Sequence, residues 1–407
     1  LSDIRIILVI LLSAAFSGCA SYQSKIAGFD KDLHSGKPAE AAQILKEKAE
    51  KDGDDQVVYL FEYATALQMA GEFKQSNAAF LKVNDLTEVK NYYSLSRIAG
   101  SLLLNEGMVQ YKGEDYEKVL ISAMAAINFL MLHDSENAMV MARQLNDKLY
   151  KYKFEAKRNY DQNPFAYYLA AMLYEDNRDW DNAYIEYKKA YDLQPNFDYF
   201  REDMVRGSKL SHRDDEFAKW KAKFKDVKVP DTKNTGEVVL IYQQGWAPQK
   251  RPHPSFPRIP KLYPLPASTV TAQLEVENGP KEKSEMIFSV EDTAIKDLDD
   301  LYAELIAKRA AGIAAKAIVA DQIRQRNQLL GDLAWIGMNV ADQADLRQWT
   351  SLPATFQIAK VRLKPGRYKV RVVGLNRAGG ESGEQYPWEE VEVRARQKTF
   401  LNWRSVL

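Results

Sequence analysis

Cys19 is the one thiol in 407 residues, and it stands directly after a short apolar run. A lone thiol in that place suits acylation through sulfur and leaves nothing to form a stray disulfide. The four histidines, His34, His133, His212 and His253, are far apart, and none belongs to a metal-binding pair such as HExxH. There is no GxSxG elbow and no GxxxxGK phosphate loop. Carboxylates are abundant, but no particular pair stands out as the acid and base of a glycosidase. No catalytic residue, metal or cofactor is expected, and the chain reads as a non-enzyme.

Residues 6–12 are apolar, follow Arg5, and lead to Ser17-Gly18 before the cysteine. Basic start, apolar core and small-residue cleavage site come in the order of a bacterial lipoprotein signal. The core is shorter than the roughly 20 residues a membrane-spanning helix needs. We therefore expect a signal peptide over 1–18, a lipidated tether over 19–24, and palmitate-type acylation of Cys19. The resemblance to lipoprotein signals, in which Asp after the cysteine goes with inner-membrane retention, implies with Ala20 and Ser21 in its place an outer-membrane anchor and a body facing the periplasm.

The formal net charge is zero, which argues against a nucleic-acid partner. Apolar and charged fractions of 46% and 28% are those of a folded body, long enough for two or three domains.

Residues 164–197 resemble a tetratricopeptide repeat. Tyr167, Ala170, Ala171 and Tyr174 take the first-helix positions, and Trp180, Ala183, Tyr187 and Ala190 those of the second, before Pro195 ends it. Small Ala171 and Ala183 allow close helix approach, and the aromatic residues fill the groove around them. A second copy runs from Leu60 to Val83, with half-signals at 36–45 and 136–142. Four helical hairpins are expected, stacked into one solenoid over 25–225 whose concave face would bind a partner. Tyr111–Val119 is not repeat consensus; Glu114, Asp115 and Glu117 there suit a helix N-terminus, or else a ligand site.

From Gly236 the pattern becomes period-two. Gly236–Tyr242 reads as a strand, 270–276 and 286–290 as partner strands, and 354–363 with 368–373 as a hairpin about Pro365-Gly366, followed by strands at 388–394 and 399–403. Prolines at 252, 254, 257, 260, 264 and 266 imply an extended, exposed segment, either a polyproline ligand or an ordered loop. A helical insertion is expected over 293–342. The fold class is α+β, multidomain: a tetratricopeptide-like α-solenoid followed by an antiparallel β domain, 226–407, carrying that insertion.

Tyr111–Val119, Gly236–Pro248 and the segment Asp345-Leu-Arg-Gln-Trp-Thr-Ser-Leu-Pro353 together resemble a group of uncharacterised proteobacterial tetratricopeptide-repeat outer-membrane lipoproteins. The resemblance implies architecture and location, and points toward envelope assembly. In the last segment, Asp345 and Arg347 either orient a ligand against Trp349 or cap the preceding helix and brace the next strand. The expected role is a protein-binding adaptor or scaffold of the envelope, with envelope proteins as partners and the outer membrane reached through the lipid. Two alternatives stay open. One is a peptidoglycan- or polysaccharide-associated factor, such as an activator of a cell-wall synthase, using exposed Trp246, Trp349 or Trp388. The other is a homo-oligomeric subunit of a ring or larger machine.

Overall fold

The computed structural model describes residues 22–92, 110–154, 163–340 and 343–407. Cys19 and the signal lie outside the described residues. Ten helices precede the sheets among these residues: α1 (Tyr22–His34), α2 (Pro38–Glu50), α3 (Gln56–Met69), α4 (Phe73–Tyr92), α5 (Asp115–Met131), α6 (Ser135–Phe154), α7 (Pro164–Asp176), α8 (Trp180–Leu193), α9 (Tyr199–Leu210) and α10 (Asp214–Lys223). Because α1 begins at Tyr22, whose ring is buried, residues 22–24 are helix and not tether.

Five hairpins form where four were expected, and one turn geometry builds all of them. Gly36, Gly71, His133, Arg178 and His212 each take a positive φ just past the first helix. The next amide donates back across the turn: Lys37 to Asp32, Glu72 to Leu67, Asp134 to Phe129, Asp179 to Tyr174 and Arg213 to Ser208, all at 2.8–3.0 Å. This bonding satisfies carbonyls that the helix end would leave orphaned. The fifth hairpin, α9–α10, is hard to see in sequence because α10 lies in a run of charged residues and buries only Trp220.

The β region holds β1 (Gly236–Gln244), β2 (Gln249–Pro252), β3 (Pro260–Tyr263), β4 (Thr271–Val276), β5 (Lys281–Lys283), β6 (Glu285–Ser289), β7 (Thr355–Leu363), β8 (Gly366–Leu375), β9 (Glu381–Val393) and β10 (Lys398–Arg404). Between β6 and β7 stand the long helix α11 (Val290–Arg326) and α12 (Gln328–Val340). One sheet has the order β10-β1-β7-β6 and the other β5-β4-β8-β9. Most pairings are antiparallel, but β1 and β10 run parallel.

Two expected pairings are corrected. β4 pairs β5 and β8, whereas β6 pairs β7 in the other sheet, so 270–276 and 286–290 are not partners. β7 and β8 do not form a hairpin; the chain crosses from one sheet to the other at Lys364-Pro365. The proline-rich stretch folds into the β2–β3 ribbon, with Pro252 opposite Pro260 and the His253 ring accepting from the Ser255 and Phe256 amides.

The sheets and helices stack in three layers. Val238, Leu240 and Tyr242 of β1 join Leu274 of β4 and Val370 and Val372 of β8 in the core between the sheets. Val239 and Ile241, on the opposite face, join the helical core with Phe356 and Ile358 of β7. β1 is thus buried along its whole length. A strand sandwiched on both faces has no polar side to show, which is why Val-Val-Leu-Ile runs unbroken there.

Candidate functional site

The solenoid face expected to receive a partner is already filled by the same chain. The first helices of the pairs, α1, α3, α5, α7 and α9, face the β10-β1-β7-β6 sheet and the segment 345–353. Trp349 is fully buried; it stacks on Phe61 of α3 at 4.5 Å between ring centroids, and Phe80 of α4 tilts against it at 5.6 Å. Its indole N–H donates to Thr65 Oγ1 at 2.8 Å.

Two buried glutamates hold the backbone behind that ring. Glu117 of α5 accepts from the Trp349 amide at 2.6 Å, and Glu62 of α3 accepts from the amides of Thr350 and Ser351 at 2.6 and 3.1 Å. Burial, together with the Asp30 charge, raises Glu62 to about 7 despite those bonds. Burial and Glu114 raise Glu117 to about 7, against the pull of Lys250 and the Tyr111 hydroxyl. Tyr111 donates to Glu117 at 2.6 Å, and Glu114 and Glu117 form a capping box at the start of α5. The non-repeat stretch is therefore a helix cap that also grips segment 345–353.

Arg347 and Asp345 have structural roles. Arg347 is buried, pairs with Asp345 at 2.7 Å and Asp55 at 3.0 Å, and lies over the Tyr111 ring. Lys250 of β2 is ion-paired to Glu114 and donates to the Arg347 carbonyl. Burial works against the charge on Lys250, but Glu114, Asp345 and Glu117 keep its pKa raised.

A second buried charge network joins the far end of the solenoid to the sheet. Arg206 of α9 bonds Glu175 through two nitrogens at 2.8 Å and Asp203 at 2.7 Å. Lys360 of β7 reaches Asp203 at 2.7 Å, while Lys398 of β10 pairs with Glu237 and lies 3.1 Å from Glu175. Burial would raise Glu175, but Arg206 and Lys398 hold it down to about 2.

The tryptophans proposed as exposed carbohydrate contacts need correction. Trp349 is fully buried, and Trp246 is 5% exposed, covered by His34 at 4.2 Å and by Arg404 at 4.8 Å. Trp388 alone of the three is open, 43% exposed with Arg371 over its ring. The repeat residues Tyr167, Ala171, Ala183, Tyr187 and Ala190 are buried, Tyr174 packs half-buried against them, Trp180 opens α8, and Pro195 lies just beyond its end.

What stays open is a groove of about 1500 Å³ between the hairpin turns of the solenoid and strands β9 and β10. Met69, Gly71, Phe73 and His133 form one wall, Gln385 to Glu392 the other, and β10 the floor. β10 is the edge of its sheet. Gln397 C=O accepts from Glu237 and the Ser405 amide donates to Gln243, so the odd-numbered residues of β10 serve the ladder with β1. The amides and carbonyls of Phe400, Asn402 and Arg404 then point outward, as alternation in a strand requires. The Arg404 guanidinium is turned away from the groove, donating to the Ser351 and Leu352 carbonyls and lying on Trp246, with its Nε and Nη1 buried and not hydrogen-bonded. Sequence patterning shows neither the groove nor the edge, because both depend on sheet order. No group of histidine, cysteine and carboxylate side chains placed to hold a metal occurs among the described residues.

The fold and groove define a class: a tetratricopeptide-like helical array whose inner face is closed by its own β sandwich. Solved structures that overlap it do so over half the chain. MamA of Desulfovibrio magneticus RS-1 is 18% identical, with a TM-score of 0.32, over 50% of this chain and 92% of that one. TPR-like repeats of a Podosopora anserina kinesin light chain are 10% identical, with a TM-score of 0.34, over 50% of this chain and 93% of that one. Likeness of this degree adds nothing to the helical hairpins already described. No protein-family model and no curated protein matches the chain.

Proposed function

We propose that this chain is a non-catalytic adaptor of the bacterial cell envelope, lipid-anchored at Cys19 to the outer membrane and facing the periplasm. Its partner surface is the β9–β10 groove, where an extended segment of another envelope protein adds to the edge of β10. The observation that carries this reading is the outward-facing backbone of Phe400, Asn402 and Arg404 on the groove floor. Edge strands that stay unpaired recruit extended peptides through main-chain hydrogen bonds, with side-chain pockets supplying the choice of partner. The concave repeat face is excluded as the docking surface because Trp349 and the sheet already occupy it.

A polysaccharide-binding role finds less support, since Trp246 and Trp349 are enclosed. The test is photo-crosslinking in living cells from probes at Gln385 and His133 in the groove, with exposed Tyr150 as control. One dominant partner captured only from the groove supports the proposal. Equal capture from Tyr150, or none from the groove, sinks it. Loss of fatty-acid labelling in Cys19→Ser tests the anchor separately.

A further inference from the structure

The outer edge of β10 is closed at both ends and open in the middle. Its outward amides fall at even-numbered residues, because the odd-numbered ones serve the ladder with β1. The outward amide of Lys398 is taken by Asp176, at the end of α7, at 2.6 Å. At the other end Glu384 of β9 takes the amides of Val406 and Leu407 with Oε1, at 2.7 and 3.1 Å. Between these two carboxylates, the backbone groups of Phe400, Asn402 and Arg404 have no hydrogen-bond partner among the described residues. An incoming strand can exchange an N–H and a C=O bond with each of them. At about 3.3 Å per residue, that open stretch takes a paired run of about five residues. Past either end, an incoming carbonyl meets a carboxylate oxygen in place of an amide hydrogen, so the segment must present a donor there.

Unpaired charge on the groove walls is of one sign. Asp176, Glu384 and Glu389 form no ion pair among the described residues; beyond the amides just named, they accept only from neutral groups, the Thr269 hydroxyl on Glu384 and the Tyr386 hydroxyl on Glu389 at 2.7 Å. The cations of the groove are spent elsewhere. Lys398 lies between Glu175 and Glu237, Arg404 turns to the Ser351 and Leu352 carbonyls, and Arg394 pairs with Glu392 at 2.8 Å. Glu390 has Arg367 at 3.5 Å. Asp176 and Glu384 are half-buried, where a charge-assisted hydrogen bond is roughly twice as strong as a neutral one.

Within the adaptor role proposed above, and resting on it, we infer that the occupant of this groove is a short basic segment: about five extended residues paired to 400–404, flanked by Lys or Arg that reach Asp176 at one end and Glu384 at the other. Glu389 adds acidic charge along the facing wall. An acidic segment is repelled at both ends. A second copy of this chain fits no better, because β10 laid antiparallel on β10 brings Asp176 of one copy against Glu384 of the other. The two carboxylates thus guard the edge against self-pairing while leaving it open to a basic strand.

The test pans random peptides displayed on phage against the full chain in a Cys19→Ser background, with Asn402→Pro as counter-selection, and measures recovered peptides by fluorescence anisotropy. Expected are peptides with Lys or Arg on both sides of a run of about five β-forming residues. Their affinity should fall about tenfold in Asp176→Asn with Glu384→Gln, with the folded state kept by circular dichroism. Both replacements retain an oxygen for the capped amides, so the edge keeps its closed ends. Recovered peptides that need residue 402 but lack flanking cations, or that bind the double variant as tightly as the unaltered chain, overturn the basic occupant and leave the groove as the docking surface. Peptides that bind Asn402→Pro equally well sink the β10 edge and the wider reading with it. Recovery of no peptide overturns the short basic segment, while capture in cells from Gln385 still judges the groove.

Discussion

Trp349 lies flat on Phe61, with centroids 4.5 Å apart and planes within 5° of parallel, although 288 residues of chain separate them. The contact brings the segment before β7 into the helical array, so the solenoid and the β region share one continuous apolar core. A groove that resembles a peptide-binding face is consequently part of the protein's own interior.

Replacing Trp349 removes the largest fully buried side chain and leaves Thr65 Oγ1 without its donor. Trp349→Ala should lower stability by about 3–5 kcal/mol, read as a fall in the urea midpoint. Hydrogen exchange should rise first at 345–353 and at the start of α5.

The two glutamates behind Trp349 make stability depend on pH. Glu62 and Glu117 have folded values raised to about 7 from an ordinary 4.5, so folding takes up protons between those limits. Their contribution is present below about 4.5 and is lost as pH rises through about 7. Glu175, held down to about 2, acts oppositely: its contribution is present above 4.5 and lost as pH falls through about 2. Stability should decline from mildly acidic to neutral pH by up to about 1.4 kcal/mol per unit for each raised group. Glu62→Gln should flatten that decline in urea titrations; an unchanged slope would count against the burial argument.

Lys360 spans the interface to Asp203, which is fully buried. Lys360→Met leaves Asp203 with Arg206 as its charged partner and the Tyr168 hydroxyl as a donor, and should cost about 3 kcal/mol because a buried carboxylate loses one of its charged partners. The double variant with Asp203→Asn should be less damaging than the sum of the single changes, and strict additivity would show the pair to be uncoupled.

Asn402→Pro tests the edge without breaking the ladder to β1, since the amide of residue 402 points into the groove. Proline removes that donor. Capture of the partner from Gln385 should be lost while the melting temperature falls by only a few degrees; retained capture would mean that the partner does not pair with β10.

Much of the architecture was legible in the residues themselves. Ala171, Ala183 and the tyrosines around them announced close-packed helices, and Gly36 and Gly71 announced turns. The fifth hairpin is not legible because its second helix is a charged run in which Trp220 is the buried residue. Alternation marked where strands run, yet it could not say that β4 and β6 belong to different sheets, or that β7 and β8 part company at Pro365.

Period and composition report that a face will be buried; they do not name what buries it. Sequence alone therefore determined a helical array, a following β region and a helical insertion within it. Tertiary structure decided that Trp349, Arg347 and Glu117 would meet, because their partners come from helices hundreds of residues away. It also decided that β10 would lie at a sheet edge, since an edge is made by the absence of a neighbouring strand and not by anything in the strand's own residues.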